Sequence, residues 1–224
     1  MIMEPNLAVG MICTHHIITR GLDMTIEHSN NLDLAERSET SQRGFIDYIQ
    51  SLKTVITTHH HLETQKIFPY FRDKIPDLPV DRLNKEHGQI GMLLMDIDGT
   101  INDLNDKKLN ETFIKQLNTA LIGINDVWHP HIDVEEQYLT VEVMDQLLDK
   151  DETMKLLESY GEFIMERYQP DYLVIPFQYY NLPPKDREIW AQGLPEIITQ
   201  KLIPGEWKDK WLPMAEYLYP DQNE

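Results

Sequence analysis

Apolar residues recur at three- and four-residue intervals in four separate stretches of the first 150 residues. That spacing lines one face of an α-helix. The first stretch passes through Ala8, Met11, His15, Ile18, Leu22 and Ile26. The second opens at Thr40 and Ser41, passes through Phe45, Tyr48, Ile49, Leu52, Ile56, His59, Glu63 and Ile67, and stops in the Pro69 to Pro76 region. The third passes through Leu83, His87, Ile90, Leu94, Ile97, Ile101 and Leu104. The fourth carries Phe113, Leu117, Ala120, Leu121, Ile124, Trp128, His131, Glu135 and Tyr138. The later links, at Asp77–Pro79 and Asn105–Lys107, are short and polar, which favours antiparallel neighbours. The pattern therefore predicts an all-α, up-and-down four-helix bundle over residues 1–150.

Beyond residue 150 the pattern changes. Eight of the thirteen prolines and three of the four tryptophans fall in this part, and none of the nine histidines does. Broken helices are expected over Asp151–Tyr168, Lys185–Ala191, Pro195–Leu202 and Glu206–Tyr217. The only β-like run is Tyr172 to Ile175. With Phe177, Trp190, Trp207, Trp211 and many tyrosines, residues 151–224 are too apolar for a linker. They read as a helical extension packed on the bundle. Its aromatic residues are read first as packing, with a cap over the site mouth or a homodimer interface as alternatives.

Composition narrows the function classes. The 224 residues carry 38 acids against 20 bases, a formal charge of −18. Nucleic acid and anionic membranes reward Lys and Arg, so neither is expected as a partner. No apolar run reaches the length of a membrane span. The start, MIMEPNLAVG, lacks the basic flank and apolar core of a signal peptide. A single cysteine, Cys13, excludes an internal disulfide and a thiolate cluster and fits a reducing compartment, so a cytoplasmic location is expected. There is no Ser/His/Asp arrangement, phosphate loop or nucleotide fingerprint.

The chemistry lies in the polar residues that interrupt the apolar stripes: His15, His59, Glu63, His87, His131 and Glu135. A carboxylate buried without a partner is very costly. Residues i and i+4 differ by about 40° around a helix, so His59 and Glu63 project together, as do His131 and Glu135. Four imidazoles and two carboxylates converging in a bundle make a mixed nitrogen and oxygen site. Such a site suits iron or manganese, and imidazole-rich sites also take zinc. By helical phase His16, His61 and His129 fall off the site. His60 lies about 100° from His59 and is expected on a flank, as the best candidate for a supporting role, with the shell that it or Glu136 would join left open. His28, near a helix end, is left out.

These residues resemble the hemerythrin-like HHE cation-binding family. Its pattern is a His on helix one, His-x3-Glu followed by Phe-Pro on helix two, a His on helix three and His-x3-Glu-Glu on helix four. Here the matches are His15, His59 to Glu63 with Phe68-Pro69, Glu86-His87, and His131 to Glu135-Glu136. The first-helix run from His15 to Leu22 is similar to that of longer fungal and bacterial members. So are the stretches Pro176 to Leu182 and Trp207 to Met214 beyond the bundle. The resemblance implies two non-heme irons, oxo- or hydroxo-bridged, held by His15, His59, Glu63, His87, His131 and Glu135. It also implies oxygen, or a related diatomic or peroxide, as the ligand.

Three positions depart from the family. Oxygen carriers have a second His on helix three, but Leu83 and Gly91 flank His87 at four residues, so a fifth imidazole is missing from that helix. Thr64 stands where an acid often follows the helix-two Glu. Pro130 interrupts helix four just before His131 and is expected to distort it. With four imidazoles, two bridging carboxylates and an oxo bridge, about two of twelve coordination positions stay open. The expected function is binding or sensing of oxygen or a related ligand, or iron handling. The alternatives are a di-iron oxidoreductase acting with oxygen or peroxide on a small substrate, and a structural metal in a protein-interaction module. A large apolar pocket beside the metals would favour the oxidoreductase.

Overall fold

The computed structural model describes residues 6–31, 37–104 and 109–219; the link at 105–107 lies outside them. Four long helices form the bundle: α1 (Leu7–Asn31), α2 (Glu39–Leu62), α4 (Val80–Asn102) and α5 (Glu111–Tyr138). A short helix α3 (Phe68–Phe71) follows α2 through a π-helical turn at Glu63–Ile67. Side-chain caps fix two of the starts. Ser38 accepts from the Ser41 amide and Asn110 from the Phe113 amide, each satisfying one of the donors a helix N-terminus leaves free.

Cross-helix contacts give the directions. The start of α1 meets the end of α5 (His15 with Glu136), and its end meets the start of α5 (Ser29 with Asn118). Lys53 of α2 pairs with Asp98 of α4, and Thr64, just past α2, meets His87 near the start of α4. Neighbours are thus antiparallel. The inward stripes bury Ile18, Leu22, Phe45, Ile49, Ile56, Leu83, Ile90, Leu117 and Ile124 to 1% exposure or less. At roughly 1.5–3 kcal/mol for each large side chain, this burial rather than helix propensity holds the bundle. Helix α5 runs through Pro130 without a break.

The rest of the chain wraps the bundle as α6 (Val141–Leu147), α7 (Lys150–Met165), α8 (Asp171–Asn181), α9 (Pro184–Ala191), a π-helical segment Ile198–Glu206, α10 (Lys208–Trp211) and a 3₁₀ segment Leu212–Tyr217. The expectation of a β-like run at Tyr172–Ile175 is corrected: these residues lie in α8. Six consecutive α8 residues, Leu173 to Gln178, are buried, so the helix is enclosed on all sides and its apolar run has no periodicity to betray it. The expected helix at Pro195–Leu202 is largely π-helical, and that at Glu206–Tyr217 is α-helical at Lys208–Trp211 and 3₁₀ from Leu212, consistent with the missing amide protons of Pro204 and Pro213.

One hydrophobic cluster joins bundle and extension, with Ile17, Tyr48 and Leu52 packed among Phe177, Trp211, Met214 and Tyr217. A polar knot lies within it. Arg20 donates to Asn181 Oδ1 and to the Tyr217 carbonyl (2.9 Å), and Tyr48 donates to Asn181 at 2.8 Å. At Gly44 the contact is backbone to backbone: a Cβ there would lie 1.9 Å from the Pro213 carbonyl oxygen. None of the described helices is long and apolar enough to cross a membrane.

Candidate metal centre

The six residues singled out by helical phase meet at one level of the bundle. His15, Glu63, His131 and Glu135 have no exposed surface, and His59 and His87 are 5% and 8% exposed. Glu135 spans two imidazoles: Oε2 lies 3.3 Å from His15 Nε2, and Oε1 3.2 Å from His131 Nε2. Glu63 does the same, with Oε1 3.2 Å from His59 Nε2 and Oε2 3.3 Å from His87 Nε2. The ligating atoms form two tight groups, His15–His59–Glu63–Glu135 and His60–Glu63–His87–His131. Glu63 belongs to both, and Glu135 reaches the second through His131.

The donor chemistry fits metal ions. Nε2 of His15, His59 and His60 and all four carboxylate oxygens of Glu63 and Glu135 are buried with no hydrogen-bond partner. Buried polar atoms are rarely left this way, and these seven converge on one place. Metal bonds of about 2.1 Å at right angles set neighbouring donors about 3 Å apart, close to the separations seen here.

Electrostatics separate the groups. Burial, with Glu135 alongside, pushes the Glu63 carboxyl well above the usual carboxylate range. Burial opposes the charge of Glu135 as well, but the His131 and His15 imidazoles outweigh it and hold its pKa well below that range. Those two histidines are correspondingly raised: burial disfavours their charge, and Glu135 overcomes it, aided by Glu136 at His15 and Glu86 at His131. Burial and neighbouring imidazoles push His59 and His60 well down and His87 down to about 3, so these three imidazoles are held neutral.

Partners behind the imidazoles aim them. His15 Nδ1 lies 2.8 Å from Glu136, His131 Nδ1 3.0 Å from Glu86, and His87 Nδ1 3.0 Å from the Thr64 hydroxyl. With Nδ1 as donor in each case, Nε2 is left to face the centre. Glu86 is itself held by Arg82, and Thr64 donates to Asn84. Thr64, the departure from the family's acid, does an acid's orienting work with a hydroxyl. The ring of Trp128, with no exposed surface, stands 5.6 to 6.2 Å from those of His15, His59, His60 and His131 and closes one side of the centre.

The π-helical turn has a local cause. Pro69 has no amide proton, and its ring would clash with the carbonyl four residues back in an α-helix. The turn widens instead, with the Phe68 amide bonding to the Glu63 carbonyl. Such bulges recur at functional sites, and this one begins at Glu63.

The expectation that His60 lies on a flank is corrected: the residue is buried. It is 5% exposed, its ring stacks on His87, and it belongs to the second ligand group. The two groups lie side by side, so a turn of about 100° from His59 leads from one to the other rather than out of the core. Helix α2 thereby brings a second imidazole to the centre, where α4 brings one. His16, His61 and His129 are exposed, and half-buried His28 packs edge-on to Tyr217.

A cavity of about 930 Å³ opens beside the first group, with His59 in its wall. Most of its lining is apolar and comes from α1, α2 and the extension.

Comparison with known families matches residues 14–141 to the hemerythrin HHE cation-binding domain. The chain belongs to that family. The matched segment contains all six expected residues and His60, and ends at the start of α6. Comparisons with curated proteins and with solved structures match nothing.

Proposed function

We propose that the chain is a non-heme di-iron protein that takes oxygen or a related small ligand at one of its two metals. The observation that carries this reading is the set of seven buried, unpartnered donor atoms. His15, His59, Glu63 and Glu135 would hold one ion. His60, His87 and His131, with the second oxygens of both carboxylates, would hold the other. A bound di-iron pair supplies one-electron steps and affinity for oxygen-type ligands.

Counting refines the openness expected from four imidazoles. With five imidazoles and two carboxylates, the protein would leave fewer positions open to a small ligand than it would with four imidazoles. Three imidazoles would serve one ion and two the other, so a small ligand would meet the group of His15 and His59. Trp128 keeps water from one side of it, and Glu136 fixes the His15 ring.

A specific observation favours the oxidoreductase over the pure carrier or sensor: the apolar cavity, wide enough for an organic molecule, has His59 in its wall. Purification in air followed by elemental analysis and addition of nitric oxide to the reduced protein tests the reading. About two irons per chain and a nitrosyl spectrum that saturates at about one ligand per pair are expected. Metal-free protein, or no spectral response, would overturn it.

A further inference from the structure

The cavity beside His59 is built from both parts of the chain. Met11 of α1, Leu62 of α2, Phe71 of α3 and Met144 of α6 line it together with Ile164 and Trp190 of the extension. The extension thus supplies an outer wall, which a metal-binding bundle by itself does not need.

Two features indicate that the space is kept for an occupant. Gly161 lines it in the interior of α7, where glycine costs about 1 kcal/mol against alanine. A Cβ at Gly161 meets nothing within 4 Å, so no close packing calls for the glycine. One residue away on the same helix, Tyr160 also lines the cavity. It is 6% exposed, and its hydroxyl is buried with no hydrogen-bond partner among the described residues. A buried hydroxyl left in this state costs about 1–3 kcal/mol, which a ligand's polar atom would recover. By contrast Gln178, another lining residue, is engaged with the Val174 carbonyl.

The chemistry of the lining selects the ligand. Its walls are mostly aliphatic and aromatic, with sulfur from Met11, Met144, Met154 and Met165. The Cys13 thiol in the wall is held neutral, its pKa pushed up to about 11 by burial and by Asp186. The rim carries Asp151, Lys155 and Glu158 on a chain of charge −18, so nothing there is made for an anionic headgroup. We propose that the cavity binds a neutral, largely aliphatic small molecule with one hydroxyl or carbonyl end, which hydrogen-bonds to Tyr160 while the molecule lies along the wall that contains His59. The binding site stands on its own; its use as a substrate site rests on the di-iron reading above.

The test uses the full chain and the neutral fluorophore N-phenyl-1-naphthylamine, displaced by 1-decanol. One site per chain is expected, with 1-decanol displacing the probe at least about tenfold better than decanoate. Gly161→Leu should fill the space and weaken the probe at least about tenfold. It should not lower the unfolding midpoint, since it replaces an interior helix glycine. Tyr160→Phe should weaken 1-decanol about tenfold and leave n-decane, which has no polar end, unchanged. Absence of probe binding would overturn the proposal, as would binding that ignores Gly161→Leu. So would a dimer in light scattering that Gly161→Leu dissociates without affecting the probe, because the cavity would then receive a second copy. Metal analysis of the same samples separates the two claims. Probe binding without metal removes the di-iron reading alone, and two metals without probe binding removes the cavity proposal alone.

Discussion

His60 and His87 stack face to face, with ring centroids 4.0 Å apart and 15° between their planes. The pair joins α2 to α4 at the second ligand group and places a fifth imidazole where His60's phase relative to His59 did not. Replacing His60 tests its role directly. His60→Ala should lose about one of two metal ions per chain, because the first group keeps all four of its residues. Elemental analysis reads the change, and a chain that keeps both ions would show that His60 only packs.

The shared carboxylates should behave differently. Glu63 and Glu135 each touch both groups, so Glu135→Ala should lower the content of both ions. His59→Ala should strip the first group, and exposed His61→Ala should leave the content unchanged. The three variants measured side by side check the helical register. Loss in His61→Ala with retention in His59→Ala would mean that the register is wrong.

Loading should release protons. In the metal-free fold Glu63, His15 and His131 all have raised pKa values, from burial at the glutamate and from Glu135 outweighing burial at the histidines. A raised pKa means a proton still held at a pH where the free group has lost it, and a metal must displace that proton. Metal affinity should therefore rise with pH until these groups have titrated. A weakly buffered titration near neutral pH should show on the order of one to three protons released per chain. Uptake with no proton release would contradict the assignment.

The Thr64 hydroxyl orients His87 through Nδ1. Thr64→Val keeps the shape and removes the hydrogen bond, and should weaken binding of the second metal about 10- to 100-fold. Competition against a chelator measures it, and Thr64→Asp should restore most of the loss.

At Gly44 the bundle meets the extension without room for a methyl group. Gly44→Ala should destabilise the chain by about 1–3 kcal/mol through the forced shift of Pro213. Urea unfolding reads this, and an unchanged midpoint would mean that the extension docks more loosely than its buried contacts imply.

Much of this was legible in the sequence because the bundle obeys one period. The stripes through His15, His59, His87 and His131 gave the helices and the level at which they meet. What they could not give was the lateral offset between two ligand groups, and that offset turns His60 from a flank residue into a member of the centre. The extension was less legible for a different reason. Helix α8 is buried all round from Leu173 to Gln178, so its apolar run carries no helical stripe, and prolines turn parts of the later helices into π and 3₁₀ segments. The cavity arises only when α7 and α9 fold back over α1, and no local pattern announces it.

Elemental analysis with an optical spectrum of the protein purified in air tests most directly whether Glu63 and Glu135 hold two metal ions. About two irons per chain and the near-ultraviolet absorption of a coupled ferric pair are the expected result. A chain that folds fully with no bound metal, and takes up none when it is offered, would contradict it.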